Sequence, residues 1–471
     1  MKQISVFFAT IATVLLAFAL VNAQEDTCPG LIYEAIMQTS DLCDTTARNE
    51  ACYGHQNVDV TLREDGTNFA APGDIAALES IDTIHTLPLD DALQQFGIVL
   101  LRAQADLPNL IPGQNVTMLL MGDVTVQDQS TEAEGIRPMQ AFLFTPGIGT
   151  SRCEELDYNT IAIQSPENVT VNLTINGASI ELGSTAVIVG DDSVMDMLIV
   201  EGQGTFSTDS GSQIVAAGQW SQVALEDGMA VGAPADPTEF PAERIAHLPL
   251  ELLNAGRNLA LGKPVTASNA LATDPAERVV DGEVSGNFNW NAGDFPPPQW
   301  IEVDLEREYP VASIRMLTSQ YPEDQLDPTV HQVYVAGEDH NLRLAHTFSQ
   351  ETRDNQWLEF TPDTPLDGVR FVRVLTTSTI HWVSWGEIEV IGAGFQGCIV
   401  HADNTVNLRV SASTDAEQVG SMTAGQSRTV TGKTEASDGF TWWQLDANTW
   451  VREDVVREEG NCDRVPVVMG E

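Results

Sequence analysis

Residues 257–391 form an ordered series of β-forming segments. NLALGKPVTAS opens the stretch, ERVVDGE and PPPQWIEVDLEREYPVASIRM follow, alternating strands lead to VRFVRVL, and HWVSWGEIEVI closes it. In a strand, successive side chains point to opposite faces, so this alternation describes sheets with one buried face. The pattern recurs between 168 and 225 in VTVNLTI, ASIELGSTAVIV, MDMLIVEGQGTFST and SQIVAAGQWSQVAL, cut by turns at Asn176-Gly177, Gly190-Asp191-Asp192 and Asp209-Ser210-Gly211. The chain is therefore mainly β.

Helix is expected in two places only. PGLIYEAIMQT (29–39) has Pro29 in a first-turn position, and 87–101 carries Leu93, Phe96, Val99 and Leu100 at helical spacing. From Val116 onward strands dominate, in VTMLLMGDVTV, MQAFLFTP and NTIAIQSP. At 471 residues the chain is too long for one core, and about three domains are expected.

The first 23 residues combine a basic start, an apolar run and a Val21-Asn22-Ala23 ending, the pattern of a secretory signal peptide cleaved after Ala23. Cys28 follows Glu25-Asp26-Thr27, which does not suit a lipid-modified cysteine. In an exported chain the six cysteines (28, 43, 52, 153, 398 and 462) read as three disulfides. Cys398 and Cys462 bracket the last module and are expected to pair; the other four allow three connectivities.

The net charge is −46, with only three lysines, Lys2, Lys263 and Lys433. Between 24 and 256, six basic residues face thirty-five acidic ones. Such a surface repels phosphate backbones and anionic lipid heads, which excludes nucleic acid as a partner and argues against membrane insertion. Three Asn-X-Thr sequences, at Asn115, Asn168 and Asn172, matter only in a host that glycosylates.

The ordered segments of 257–391 resemble the discoidin family (coagulation factor 5/8 type C, galactose-binding-like), which includes many carbohydrate-binding modules. The resemblance implies a jelly-roll β-sandwich that binds ligands on loops at one end and does no chemistry. It also implies a structural Ca²⁺ held by Asp281 in VVDGE and Glu387 in WGEIEV, with the carbonyls of Arg278, Glu283, Ala292 and Gly386 as further oxygens. The corresponding loops are 290–297, 319–329 and 377–382. Trp290, Gln320, Tyr321, His381 and Trp382 offer rings and planar polar groups suited to a saccharide. Fucose-type members clamp the sugar with arginines in the loop matching 319–329, where this chain has Gln320, Glu323, Asp324 and Asp327. Phospholipid binding would need basic residues flanking exposed apolar spikes, and those are absent. Trp300 and Trp385 read as core packing.

Residues 398–462 resemble the bacterial Src-homology-3-like domain, a small β-barrel that binds peptidoglycan or peptides or acts as a spacer. Asn407, Leu408, Arg409, Trp443 and Trp450 hold the motif positions; Trp443 and Trp450 are expected in its core and Trp442, on the opposite face, exposed. The 166–230 segment is weakly similar to FecR-type domains. The expected organisation is a signal peptide (1–23), a disulfide-containing α+β region (24–165), a β-roll (166–230), a Pro-rich linker (231–256), the discoidin-like module (257–391), a flexible Gly-rich linker (392–397) and the SH3-like module (398–462).

No catalytic set is recognisable. GxSxG and HExxH are absent, and Gly432-Lys433-Thr434 lacks the first glycine of a phosphate loop, Ser427 standing there instead. The eight histidines are scattered, and carboxylates are too abundant for any pair to be diagnostic. The expectation is a secreted or surface-bound bacterial protein, not an enzyme, that binds glycan or peptidoglycan. The alternatives are a scaffold or sensor for other exported proteins, or an accessory subunit of a secreted hydrolase.

Overall fold

The structure is a computed structural model that describes residues 28–63, 67–90, 93, 95–107, 114–131, 135–147, 159–166, 169–284, 289–320, 325–380, 382–446 and 448–468. The signal-peptide residues, Cys153, Asn168, Tyr321 and His381 lie outside these. Among the described residues no helix is long and apolar enough to cross a membrane.

Residues 50–239 build a sandwich of a ten-stranded and an eight-stranded sheet around one core running from Ala51 to Leu225. The expected boundary at 165/166 falls inside this sandwich, where two blocks of strands join in both sheets. Thr160–Gln164 pairs with Thr185–Gly190 in one sheet, and Val171–Ile175 runs parallel to Ala141–Pro146 in the other. In each sheet the strands before the boundary form one contiguous block and those after it another, the two blocks meeting edge to edge and sharing one core. The hairpin turn at Asn176-Gly177 takes φ of 51° and 75°, the left-handed pair that matches strand twist.

The expected helix at 29–39 is α1 (Cys28–Cys43). The one expected at 87–101 is replaced by the strand Ile98–Ala103, which pairs with both Glu50–His55 and Val116–Met121. Every residue of Ile98–Ala103 and of Val116–Met121 is buried. An apolar run covered on both faces loses the alternation that separates strand from helix, and pairing decides.

What covers the outer face is α1 together with the C-terminal module. Leu100, Leu119, Ala162 and Val187 share a second core with Tyr33, Ile36, Phe395, Leu408, Trp443 and Val451. Neither expected linker is a loose tether. Leu248, Leu252 and Leu253 are buried, and the Ala255 carbonyl accepts from Arg102 Nη2 at 2.7 Å. Phe395 meets Tyr33 edge-on at 5.6 Å, and the Tyr33 hydroxyl accepts from the Cys398 N–H at 2.8 Å. A Cβ on Gly394 would stand 2.5 Å from Ser40 Oγ, and one on Gly397 2.5 Å from Met37 Cε. The glycines here permit close approach to α1, where composition suggested flexibility.

Cys398–Cys462 forms as expected, with a Cα separation of 4.5 Å, and Cys43 pairs with Cys52. The last module contains a three-stranded and a five-stranded sheet. Trp443 and Trp450 are buried. So is Trp442, at 2% exposure, contrary to expectation. Its indole N–H donates to Asp438 Oδ2 at 3.3 Å, and it pairs across strands with Thr434 and Arg452, so the outer face of this strand is covered as well.

Candidate functional site

The 257–391 module is organised by one long strand, Gln299–Thr318, which bends between Asp304 and Tyr309. Its first part pairs with Val265–Ala267 and Leu366–Ser378; its second part pairs with Ser384–Gly392 and Trp357–Phe360. One strand thus serves both layers of a sandwich whose core holds Trp290, Ile301, Met316, Val333, Val374, Trp385 and Ile388. Trp385 packs as expected. Trp300 does not: it lies half-buried on the outer face, under the Arg373 guanidinium 4.2 Å from its ring centroid.

Strand register brings three loops to one end. Gln299 lies opposite Thr376, and His331 opposite Thr376 on the other side. The segments before Gln299, before Asp327 and after Ser378 therefore open on the same side, as expected for 290–297, 319–329 and 377–382. Trp382 stands 41% exposed there. Phe295, Leu326 and Ile380 are more exposed still. Sequence reasoning missed these three, although each is an apolar residue inside a turn-rich segment, where a burial argument has nothing to bury it against. Apolar side chains thus stand exposed at this end.

Two proposed ligand residues do other work. Trp290 is 0% exposed, pairs with Trp385 across strands and donates its indole N–H to the Asn269 carbonyl at 2.9 Å. It is core, because the short strand Trp290–Asn291 turns the ring inward. Gln320 donates from Nε2 to Thr352 Oγ1 at 3.0 Å, while its backbone N–H donates to Asp354 Oδ1 at 2.7 Å. Its amide anchors the loop to the end of Arg343–Thr352. Tyr321 and His381 lie outside the described residues.

Below the loops sits a buried polar group. His331 bonds through Nδ1 to Thr376 Oγ1 at 2.9 Å and meets Trp385 edge-on at 4.6 Å, and burial pushes its pKa down to about 4. A neutral imidazole is the form this site holds.

Asp281 and Glu387 come together through Gly282, whose N–H donates to Glu387 Oε1 at 3.2 Å. Glu387 is 0% exposed, and its Oε2 has no hydrogen-bond partner among the described residues. Burial, then the neighbouring Asp281 charge, pushes the Glu387 pKa up to about 10. Burial also raises Asp281, whose Oδ1 accepts from the Glu283 N–H at 2.9 Å. A buried carboxylate beside a second one, with an oxygen unmatched, is an arrangement a hard cation would satisfy. Among the described residues no group of three or more His, Cys, Asp or Glu side chains could hold a metal, so main-chain oxygens would have to complete the shell.

Residues 264–391 match the F5/8 type C domain family. No curated protein matches the chain. Among solved structures, the family 32 carbohydrate-binding module of Clostridium perfringens NanJ, in complex with galactose, is similar at 20% identity. That likeness covers 27% of this chain and 93% of that one, with a TM-score of 0.25. Chitosan-binding module 1 of a Paenibacillus chitosanase/glucanase is similar at 25% identity over 29% of this chain and 99% of that one, with a TM-score of 0.25. The F5/8 type C module is a non-catalytic binding unit, of a kind often found within enzymes.

Proposed function

We propose that this is an exported, non-catalytic glycan-binding protein whose F5/8 type C module takes a saccharide at its loop end. The observation that carries this reading is the convergence of three loops with Trp382 exposed among them. A sugar presents C–H faces that stack on an indole and hydroxyls that bond to polar neighbours. The absence of arginine from 319–329 favours a neutral sugar over an anionic one. A second reading, a protein partner, is favoured by Leu326 and Ile380, whose aliphatic side chains bury well against a protein but do not stack sugars.

Calcium belongs to the proposal as a structural ion. Asp281 and Glu387 would hold it, with the carbonyls of Arg278, Glu283, Ala292 and Gly386 completing an oxygen shell. Bound there, it would neutralise the buried Glu387 charge and tie the Asp281 turn to the closing strand Ser384–Gly392. The last module enters as a spacer in the SH3-like style; the burial of Trp442, Trp443 and Trp450 argues against their offering a face to peptidoglycan.

The mature chain on an array of neutral and acidic glycans, in calcium, tests the reading. Binding is expected, and Trp382→Ala should weaken it by about 1–3 kcal/mol, the worth of one ring in a hydrogen-bonded pocket. No signal on any glycan would move the assignment to the protein-binding reading.

A further inference from the structure

The exposed indole of Trp382 does not stand alone at the loop end. Trp290 and Asn291 pair with Trp385 and Ser384, and the Ala292 N–H donates to the Val383 carbonyl at 2.9 Å. The next position along therefore sets Gly293 opposite Trp382. Trp290, Ala292, Val383 and Trp385 belong to the core, so alternation turns Asn291, Gly293 and Trp382 to the outer side. Gly293 leaves that side open. A Cβ on it would meet Leu271 Cδ2 at 3.1 Å and Phe295 Cδ2 at 3.9 Å, which places both apolar side chains against the glycine. Leu271 is 41% exposed and Phe295 53%, so this wall faces solvent. The result is a shelf with an indole on one side and an apolar wall on the other.

The same shelf carries one oriented donor. Asn291 Oδ1 accepts from the Gly293 N–H at 2.8 Å, which fixes the way the amide faces. Its Nδ2 has no partner among the described residues and is open to solvent. Asn291 lies diagonal to Trp382 across the strand pair, a spacing of roughly 7–8 Å that an aromatic side chain spans. A plain hydroxyl would use the donor and leave Leu271 and Phe295 wet. An acetamido group presents a carbonyl acceptor and a methyl side by side, and so satisfies donor and wall together.

We infer that the loop end selects a 2-acetamido sugar. The pyranose lies on Trp382, its acetamido carbonyl accepts from Asn291 Nδ2, and its methyl packs on Leu271 and Phe295. This rests on the saccharide reading of the loop end and adds the class of sugar, with Asn291 as a specificity-determining residue.

Saturation-transfer NMR on the full mature chain, in calcium, tests this with four methyl glycosides: N-acetylglucosamine, N-acetylgalactosamine, glucose and galactose. At least one acetamido sugar should bind about tenfold more tightly than its parent hexose, the low end for one apolar group in a pocket. Its acetyl methyl should be the most strongly saturated group. Trp382→Ala should weaken both members of that pair. Asn291→Asp keeps an oxygen for the Gly293 N–H but loses the donor, and Phe295→Ser removes part of the wall. Each should bring the ratio of the two affinities toward one, with the melting temperature checking that the chain is folded. Equal affinities in the wild type, or a ratio that neither variant changes, overturn the inference and leave the loop-end reading standing. Silence from all four glycosides overturns it as well, and the glycan array then decides the loop-end reading on its own.

Discussion

Glu387→Gln should raise the melting temperature of the chelated protein at about pH 8 and abolish its response to calcium. The folded pKa of Glu387 is raised from 4.5 to about 10, so the folded state keeps a proton that the unfolded chain releases. Its contribution is fully present below 4.5 and is lost as pH rises toward about 10. Without metal, the loss runs at no more than ~1.4 kcal/mol per pH unit, several degrees of melting temperature across the window. Gln is neutral throughout and keeps an oxygen for the Gly282 N–H, so the wild type and the variant should converge at low pH and separate at high pH. Calcium a hundredfold above its Kd would restore about 2.7 kcal/mol to the wild type and nothing to the variant. Calorimetry in chelator and in calcium, at several pH values, measures all of this. A wild-type melting temperature indifferent to calcium would sink the metal assignment, whereas the pH dependence tests the buried carboxyl separately.

Phe395→Ala should undock the C-terminal module. The ring fills the seam between α1 and the 398–462 module, and removing a buried Phe costs ~3–5 kcal/mol. Tyr33→Phe should cost less, ~1–3 kcal/mol, by leaving the Cys398 N–H without its acceptor. The Cys398–Cys462 bridge keeps the module closed on itself in both variants. The measurable signature is therefore new protease cleavage in 392–397 together with an earlier unfolding transition. Unchanged cleavage and midpoint in Phe395→Ala would show that the seam is held elsewhere, with the Arg464–Glu251 pair at 2.9 Å as the next candidate.

The F5/8 type C module was legible because its strands are half-buried: the alternation in PQWIEVDL and VRFVRVL records which face is inside. Asp281 and Glu387 were legible as a turn residue and a strand residue, and the fold brings them to either side of Gly282. The N-terminal sandwich was not legible as one unit, because alternation says that a segment is a strand but not which strand it pairs with. Ile98–Ala103 was misread for a related reason, since burial on both faces erases the period. Trp290 and Trp442 show the limit for single residues. An indole beside a turn reads as a binding ring or as core until its neighbours are placed, and here Asn269 and Asp438 capture the two N–H groups.

The buried seams at 248–255 and 395–398 bear on how this protein meets a surface. A module on a flexible tether sweeps a volume and finds its ligand by reach, gaining avidity from local concentration. Here the loop end keeps one attitude relative to a body in which thirty-five acidic residues face six basic ones between 24 and 256. Whatever displays the ligand must then tolerate that body at a set stand-off, much as a fixed probe touches only what protrudes far enough. Sugars on long projecting chains would be within reach; the same sugars lying flat on an anionic wall would be held away, and more so as the salt is lowered.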